Sequence, residues 1–279
     1  MNRAVLLPLR WLALILAAVV SLFPIYWMVM SSFRTHEEIF KYTTLSKELF
    51  LPVHWTLDNY REIFLDPSKP FGRYIVNTLI VAIVVTAAGL VVNSMAAFAF
   101  AKLKFRFKRG LLAFFLSSLV IPYEVIMIPQ YLLMRDFGWI NDYRALIIPQ
   151  IVWVFGIFML IQFFSDVPRD ILDAARMDGA SWARIYAVIV LPTAVPAIIT
   201  LGIMTFLNQW DSFLWPLVVI NEEKKQVIQV AISSFQSLRG ISWGKIMAAT
   251  TISSVPILAV FLLLQRYYVQ GITMSGVKG

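Results

Sequence analysis

Residues 74–101 read YIVNTLIVAIVVTAAGLVVNSMAAFAFA, 28 consecutive positions without one charged side chain, bracketed by Arg73 and Lys102. A hydrocarbon core about 30 Å thick takes roughly 20 residues of helix, so this stretch can cross a bilayer with length to spare for tilt. Working outward, further apolar stretches bounded by charge lie at 11–33, 111–134, 145–164, 191–220 and 246–264, which makes six candidate spans. The whole chain has 279 residues, of which 59% are hydrophobic and only 14% charged, with a mean hydropathy of +0.75. That is far more apolar side chain than a soluble fold of this size can bury. The sequence therefore predicts an all-α polytopic membrane protein, one transmembrane domain over 1–279. Arg3 and Arg10 precede the first run, as they would in a signal peptide. A signal core is about 7–15 residues, however, and this run continues through Trp27 and Met28 where small residues should stand. It reads as an uncleaved first span.

An even number of spans puts both termini on one face, with the loops around 102–110 and 165–190. The other face receives an outer cap at 34–73, a short loop at 135–144 and an outer loop at 221–245. Lys and Arg tie at 12 on each face, so the raw count does not orient the chain. The shortest loop does: Lys102, Lys104, Arg106, Lys108 and Arg109 stand directly between two spans, where the positive-inside bias is strongest, and place that face and both termini in the cytoplasm. The formal charge of +8 thus reports orientation and anionic lipid, not nucleic acid. In the cap, the segment from Asp58 to Phe64 has helical spacing behind Thr56 or Asp58 as a cap.

Catalysis finds little support. The chain has no Cys, and its two His residues, His36 and His54, have no partner at metal-ligand spacing. The stretch from Gly240 to Lys245 is one residue short of a phosphate loop and has Ile246 where Ser or Thr must hold magnesium. Polar residues inside the spans carry more weight, because a charge in hydrocarbon must be paired or face water. Glu124 lies between Pro122 and Pro129, whose missing amides break the helical ladder; it reads either as the wall of a hydrated pathway or as an interhelical packing contact. Asn208, Gln209 and Asp211 interleave with Trp210, Phe213 and Trp215. Amides and a carboxylate beside flat aromatic faces suit a sugar, while the same tryptophans suit a membrane-interface belt.

The loop 165–190 is too polar to enter the bilayer. Asp166 and Pro168 predict the start of a short helix, with Asp170 favourable in its first turn. Ala174 and Ala175 present a small face, Gly179 permits a sharp stop, and Ser181 caps a second helix. Two short helices joined at a glycine elbow make a docking surface for another protein.

The run from Asp173 to Ala180, DAARMDGA, followed by Ile185, Ile189, Leu191 and Pro192, resembles the EAA signature of binding-protein-dependent ABC importer permeases. Asn77-Thr78, the 98–101 run Phe-Ala-Phe-Ala, Ile128-Pro129, the 208–211 run Asn-Gln-Trp-Asp and the tail 271–279 are similar to the sugar branch of that family, of the maltose-permease type. The resemblance implies a MetI-like fold of six transmembrane helices in a bacterial or archaeal plasma membrane. It implies three kinds of partner besides the lipid bilayer: a second homologous permease subunit, two cytoplasmic ATPase subunits, and an extracytoplasmic solute-binding protein. ATP and magnesium then bind the ATPases, no cofactor belongs to this chain, and the chain is not itself an enzyme. Asp173, Ala174, Ala175, Asp178 and Gly179 become coupling residues, with Asp173 standing one methylene shorter than the family's Glu. The outer loop 221–245 is expected to meet the binding protein, and 276–279 the ATPases. Glu124, Asn208, Trp210 and Asp211 are the candidates for the solute path. The solute expected is a sugar or oligosaccharide. The alternatives are glycerol phosphate or a glycerophosphodiester in the same machine, and, in a different class, a membrane enzyme or scaffold.

Overall fold

A computed structural model describes residues 3–42, 44–237 and 240–276. The tail positions 277–279, expected to reach the ATPases, lie outside the described residues. The chain forms two compact units, Met1–Gly72 with Val230–Val255, and Arg73–Gln229 with Pro256–Gly279.

In the first unit, helix α1 (Arg3–Ser32) contributes the uninterrupted apolar span Leu9–Ser32. Its last carbonyls are not left bare. Asn59 Nδ2 donates to Ser32 O at 2.9 Å and Arg34 O at 2.8 Å, and Asn59 sits on helix α2 (Asp58–Leu65). The residue that opens α2 is Leu57, which makes no side-chain cap bond, so neither Thr56 nor Asp58 caps the helix as expected; Thr56 Oγ1 accepts from the Asp58 amide at 3.0 Å just ahead of it. The cap is ordered around polar bonds. Arg34 is buried and donates to Glu48 O and Leu49 O, and the buried Glu38 carboxylate accepts from the Val53 and His54 amides. Gly244, in the phosphate-loop-like stretch, has a packing role: a Cβ there would stand 2.3 Å from Asn59 Oδ1. Its neighbour Lys245 pairs with Glu62 at 2.7 Å. A two-stranded hairpin, β1 (Gln236–Ser237) against β2 (Gly240–Ile241), leads into the last helix, which runs Trp243–Gly276 and holds the span Trp243–Gln265.

The second unit is built on helix α3 (Phe71–Lys102), which contains the uncharged run 74–101. The third expected span is not straight. It is two helices, α4 (Lys108–Ser118) and α5 (Tyr123–Asp136), meeting at 102°. Pro122 precedes α5 and has no amide to continue the ladder, so the chain turns there. The fourth span, Tyr143–Ser165, starts with α6 (Tyr143–Ile147) and ends with α7 (Val154–Ser165). Between them the helix is interrupted, and Asn93 of α3 fills the gap: its Nδ2 donates to Ile151 O and its Oδ1 accepts from Trp153 N, each at 3.0 Å. The fifth span also differs from expectation. It is α9 (Trp182–Thr193) and α10 (Val195–Trp210), bent by 83° at Ala194 between Pro192 and Pro196. It ends at Trp210, and a separate helix α11 (Leu214–Val219) follows.

Asn93 is buried, so an apolar replacement strands two backbone groups. Asn93→Ala is expected to cost about 2–4 kcal/mol, read as a lower melting temperature of the purified protein, whereas Asn208→Ala at an exposed position should leave it nearly unchanged.

Candidate functional site

Helix α8 (Arg169–Met177) opens after Pro168; Asp166, expected to cap it, instead closes the preceding helix α7. Proline is the better opener here because its missing amide is one that a helix start cannot use and its φ is preset. Only Leu172 of α8 is fully buried, and it joins a core with Phe98, Leu160, Phe164 and Ile185, against which Ala175 and Ala180 also pack. The opposite face is open: Asp173, Ala174, Asp178 and Gly179 are exposed, and Met177 is 89% exposed.

The helix stops by a specific geometry. Gly179 has φ +82°, its amide donates to Arg176 O at 3.0 Å, and the Ala180 amide donates to Ala175 O at 2.9 Å. That pair of bonds is a Schellman motif, in which the left-handed residue satisfies carbonyls the helix end would orphan. A Cβ on Gly179 would meet nothing within 4 Å, so the demand for glycine is conformational, not steric. Arg176, which the sequence reading passed over, ties the elbow: its Nη1 donates to Ala180 O at 2.7 Å and its guanidinium lies 5.2 Å over the Trp182 ring. Ser181 then caps α9 as expected, accepting from the Arg184 amide.

The second elbow helix is not a short separate element. It continues from Trp182 to Thr193, through a π-helical stretch at Ile185–Val190, directly into the bend of the fifth span. It is also clamped to α3. Phe98 packs on Tyr186 and Trp182, with ring centres 5.4 and 6.3 Å apart, and the Tyr186 hydroxyl meets Ser94 Oγ at 2.8 Å. Lys102 completes the clamp at the other side of the elbow. One of the five cations between the second and third spans, it is buried and donates from Nζ to Ser165 O at 3.1 Å and Val167 O at 2.6 Å. The end of α7 offers carbonyls without partners, and an ammonium is the donor that suits them.

The candidate path residues fall at two separate breaks. Glu124 is exposed in the first turn of α5, at the 102° bend. Asn208 is exposed near the end of α10, and Asp211, which closes that helix, accepts from Gln229 Nε2 at 3.3 Å. Trp210 is fully buried and stacked on Phe206 at 5.8 Å, so it packs the core and shows no face to a solute. Trp215 is buried as well, its indole N–H donating to Ala145 O at 2.9 Å. Neither tryptophan forms an interfacial belt. Among the described residues no group of three or more His, Asp or Glu could hold a metal ion.

Asn77 and Thr78 have a use that their sequence left open. Asn77 Nδ2 donates to the carbonyls of Lys224 and Gln226, its Oδ1 accepts from the Tyr143 hydroxyl, and Thr78 Oγ1 accepts from the Ile228 amide. With the Asn141 side-chain carbonyl taking the amides of Asn221 and Glu222, they hold the first third of the outer loop.

Against known proteins, residues 89–274 match the family model for the binding-protein-dependent transport system inner membrane component. The chain is 31% identical over 268 residues to the trehalose/maltose transport system permease protein MalG of Thermococcus litoralis, covering 95% of this chain and 94% of that one. It is 31% identical over 275 residues to the arabinooligosaccharides transport system permease protein AraQ of Halalkalibacterium halodurans, covering 97% of each. Among solved structures, a bacterial ABC transporter that imports the acidic polysaccharide alginate has a chain with TM-score 0.82 at 21% identity, covering 96% of this chain and 99% of that one; it matches in fold.

Lys102→Met removes the donor for Ser165 O and Val167 O and is expected to destabilise by about 1–3 kcal/mol, with Lys102→Arg retaining most of the melting temperature.

Proposed function

Because this chain belongs to the family of binding-protein-dependent transport system inner membrane components, we propose that it is one of two permease subunits of an ABC importer for a sugar or oligosaccharide. It pairs with a related permease, two cytoplasmic ATPases that bind ATP and magnesium, and an external solute-binding protein. The chain supplies half of a pathway and no hydrolytic chemistry. Both termini, the elbow and the loop after α3 face the cytoplasm.

The observation that carries the reading is the elbow itself. Asp173, Ala174, Asp178 and Gly179 are exposed on a rigid stop whose second helix is continuous with a bent spanning helix. An ATPase that closes on ATP can grip α8, and the clamp to α3 carries the movement into the span as a rigid body, which gives alternating access. Asp173 offers a carboxylate at the gripped face.

The sugar rests on the substrates for which the relatives are named, supported by Asn208 and Asp211, exposed polar groups at the end of α10. A glycerol phosphate would require a cation in the spans. Lys102, at the end of α3, is turned to backbone carbonyls and cannot serve. The alginate transporter takes an acidic solute, but its 21% identity supports fold only.

Three outcomes are expected. Gly179→Trp, forced into a left-handed backbone that costs roughly 1–2 kcal/mol for an L-residue, should insert normally but lose ATPase co-purification and uptake; intact uptake would sink the coupling role. Calorimetry on the solute-binding protein should show tight binding of a neutral oligosaccharide and none of glycerol phosphate. The chain has no Cys, so single labels are clean: Met177→Cys should react with an impermeant maleimide only after the cells are opened, and Glu37→Cys before.

A further inference from the structure

We propose that the loop joining α3 to α4 binds the headgroup of an anionic phospholipid. This does not depend on the identity of the solute. Residues 103–107 are all that separate a helix long and apolar enough to span from the first half of a bent apolar pair, and five residues reach only about 17 Å when extended. The loop therefore lies at the membrane surface.

Its side chains are arranged for that surface. Lys104, Arg106 and Arg109 are exposed, and among the described residues none of them forms an ion pair. Lys108 draws the loop closed by donating to Leu103 O at 3.0 Å. The result is an open concavity of about 380 Å³ whose wall includes Lys104, Lys108 and Arg109. Two aromatics flank it. Phe105 is anchored edge-on against the buried Phe100 at 5.5 Å, while Phe107 is 74% exposed with the Arg106 guanidinium 4.8 Å over its ring.

Phe107 also holds φ +62°, a left-handed backbone that a bulky L-residue seldom adopts. A turn that needed only this backbone would be met by glycine at no strain. A phenylalanine there gains by partitioning its ring into the lipid interface beside a cation that meets the phosphate. Unpaired cations around a concavity, beside an exposed aromatic in a loop held at the membrane surface, match a phosphodiester on an apolar tail.

The full importer, purified in neutral detergent, would be titrated with headgroup-labelled phosphatidylglycerol and followed by anisotropy. The wild type should bind saturably. The variant Lys104→Gln/Arg106→Gln/Arg109→Gln should bind roughly 100-fold more weakly, each charge near the surface contributing about fivefold. Neither phosphatidylcholine nor inorganic phosphate should compete. Equal binding by the variant, or competition by phosphatidylcholine or free phosphate at similar concentration, would overturn the proposal. Loss of the ATPases from the variant with lipid binding unchanged would assign the cluster to the protein partner instead. If the triple variant does not assemble, the three single replacements serve; no weakening in any of them refutes the site.

Discussion

Hydrocarbon offers a backbone amide or carbonyl nothing to bond to, so every break in a spanning helix has to be closed by another part of the chain. This chain breaks its spans repeatedly, and the breaks decide where its polar side chains go. Asn93 fills the interruption between α6 and α7 from inside α3. Lys102 takes carbonyls at the end of α7. Asn77 and Thr78 do the same for the outer loop. Four polar groups on one helix thus make α3 the post to which the other elements of its unit are fastened.

That fastening gives the coupling elbow its mechanical sense. An exposed helix on a flexible tether would absorb a push. Here α8 enters from a segment held by Lys102 and leaves through a glycine stop into α9, which is locked to α3 by Phe98, Ser94 and Tyr186. The helices bend further along, at Ala194 and at Pro122, where backbone bonding is interrupted.

Much of this was legible in the residues. Apolar runs located the four helices long and apolar enough to span and the two bent pairs, and the Gly179 and Ser181 signals placed the elbow's stop and restart, because those are local rules of backbone conformation and capping. Charge counting did not place Lys102, since a count cannot see that one cation of five turns inward to a helix end. The tryptophans of the fifth span misled for a similar reason. An indole is equally at home in a core, a belt or a sugar site, and only its surroundings show that Trp210 is packed and Trp215 bonded to Ala145. Bends were foreshadowed by Pro122, Pro192 and Pro196, but proline marks a break without fixing its angle.

The rigid clamp between elbow and α3 is the claim on which the coupling depends. Spin labels at Ala174 and at Met95, exposed on α8 and α3 respectively, would report it in the reconstituted importer with and without ATP. A rigid clamp predicts one unchanged distance distribution in both states, while a label pair from Ala174 to the partner permease shifts. A second population, or a displaced peak, between Ala174 and Met95 on adding ATP would contradict it.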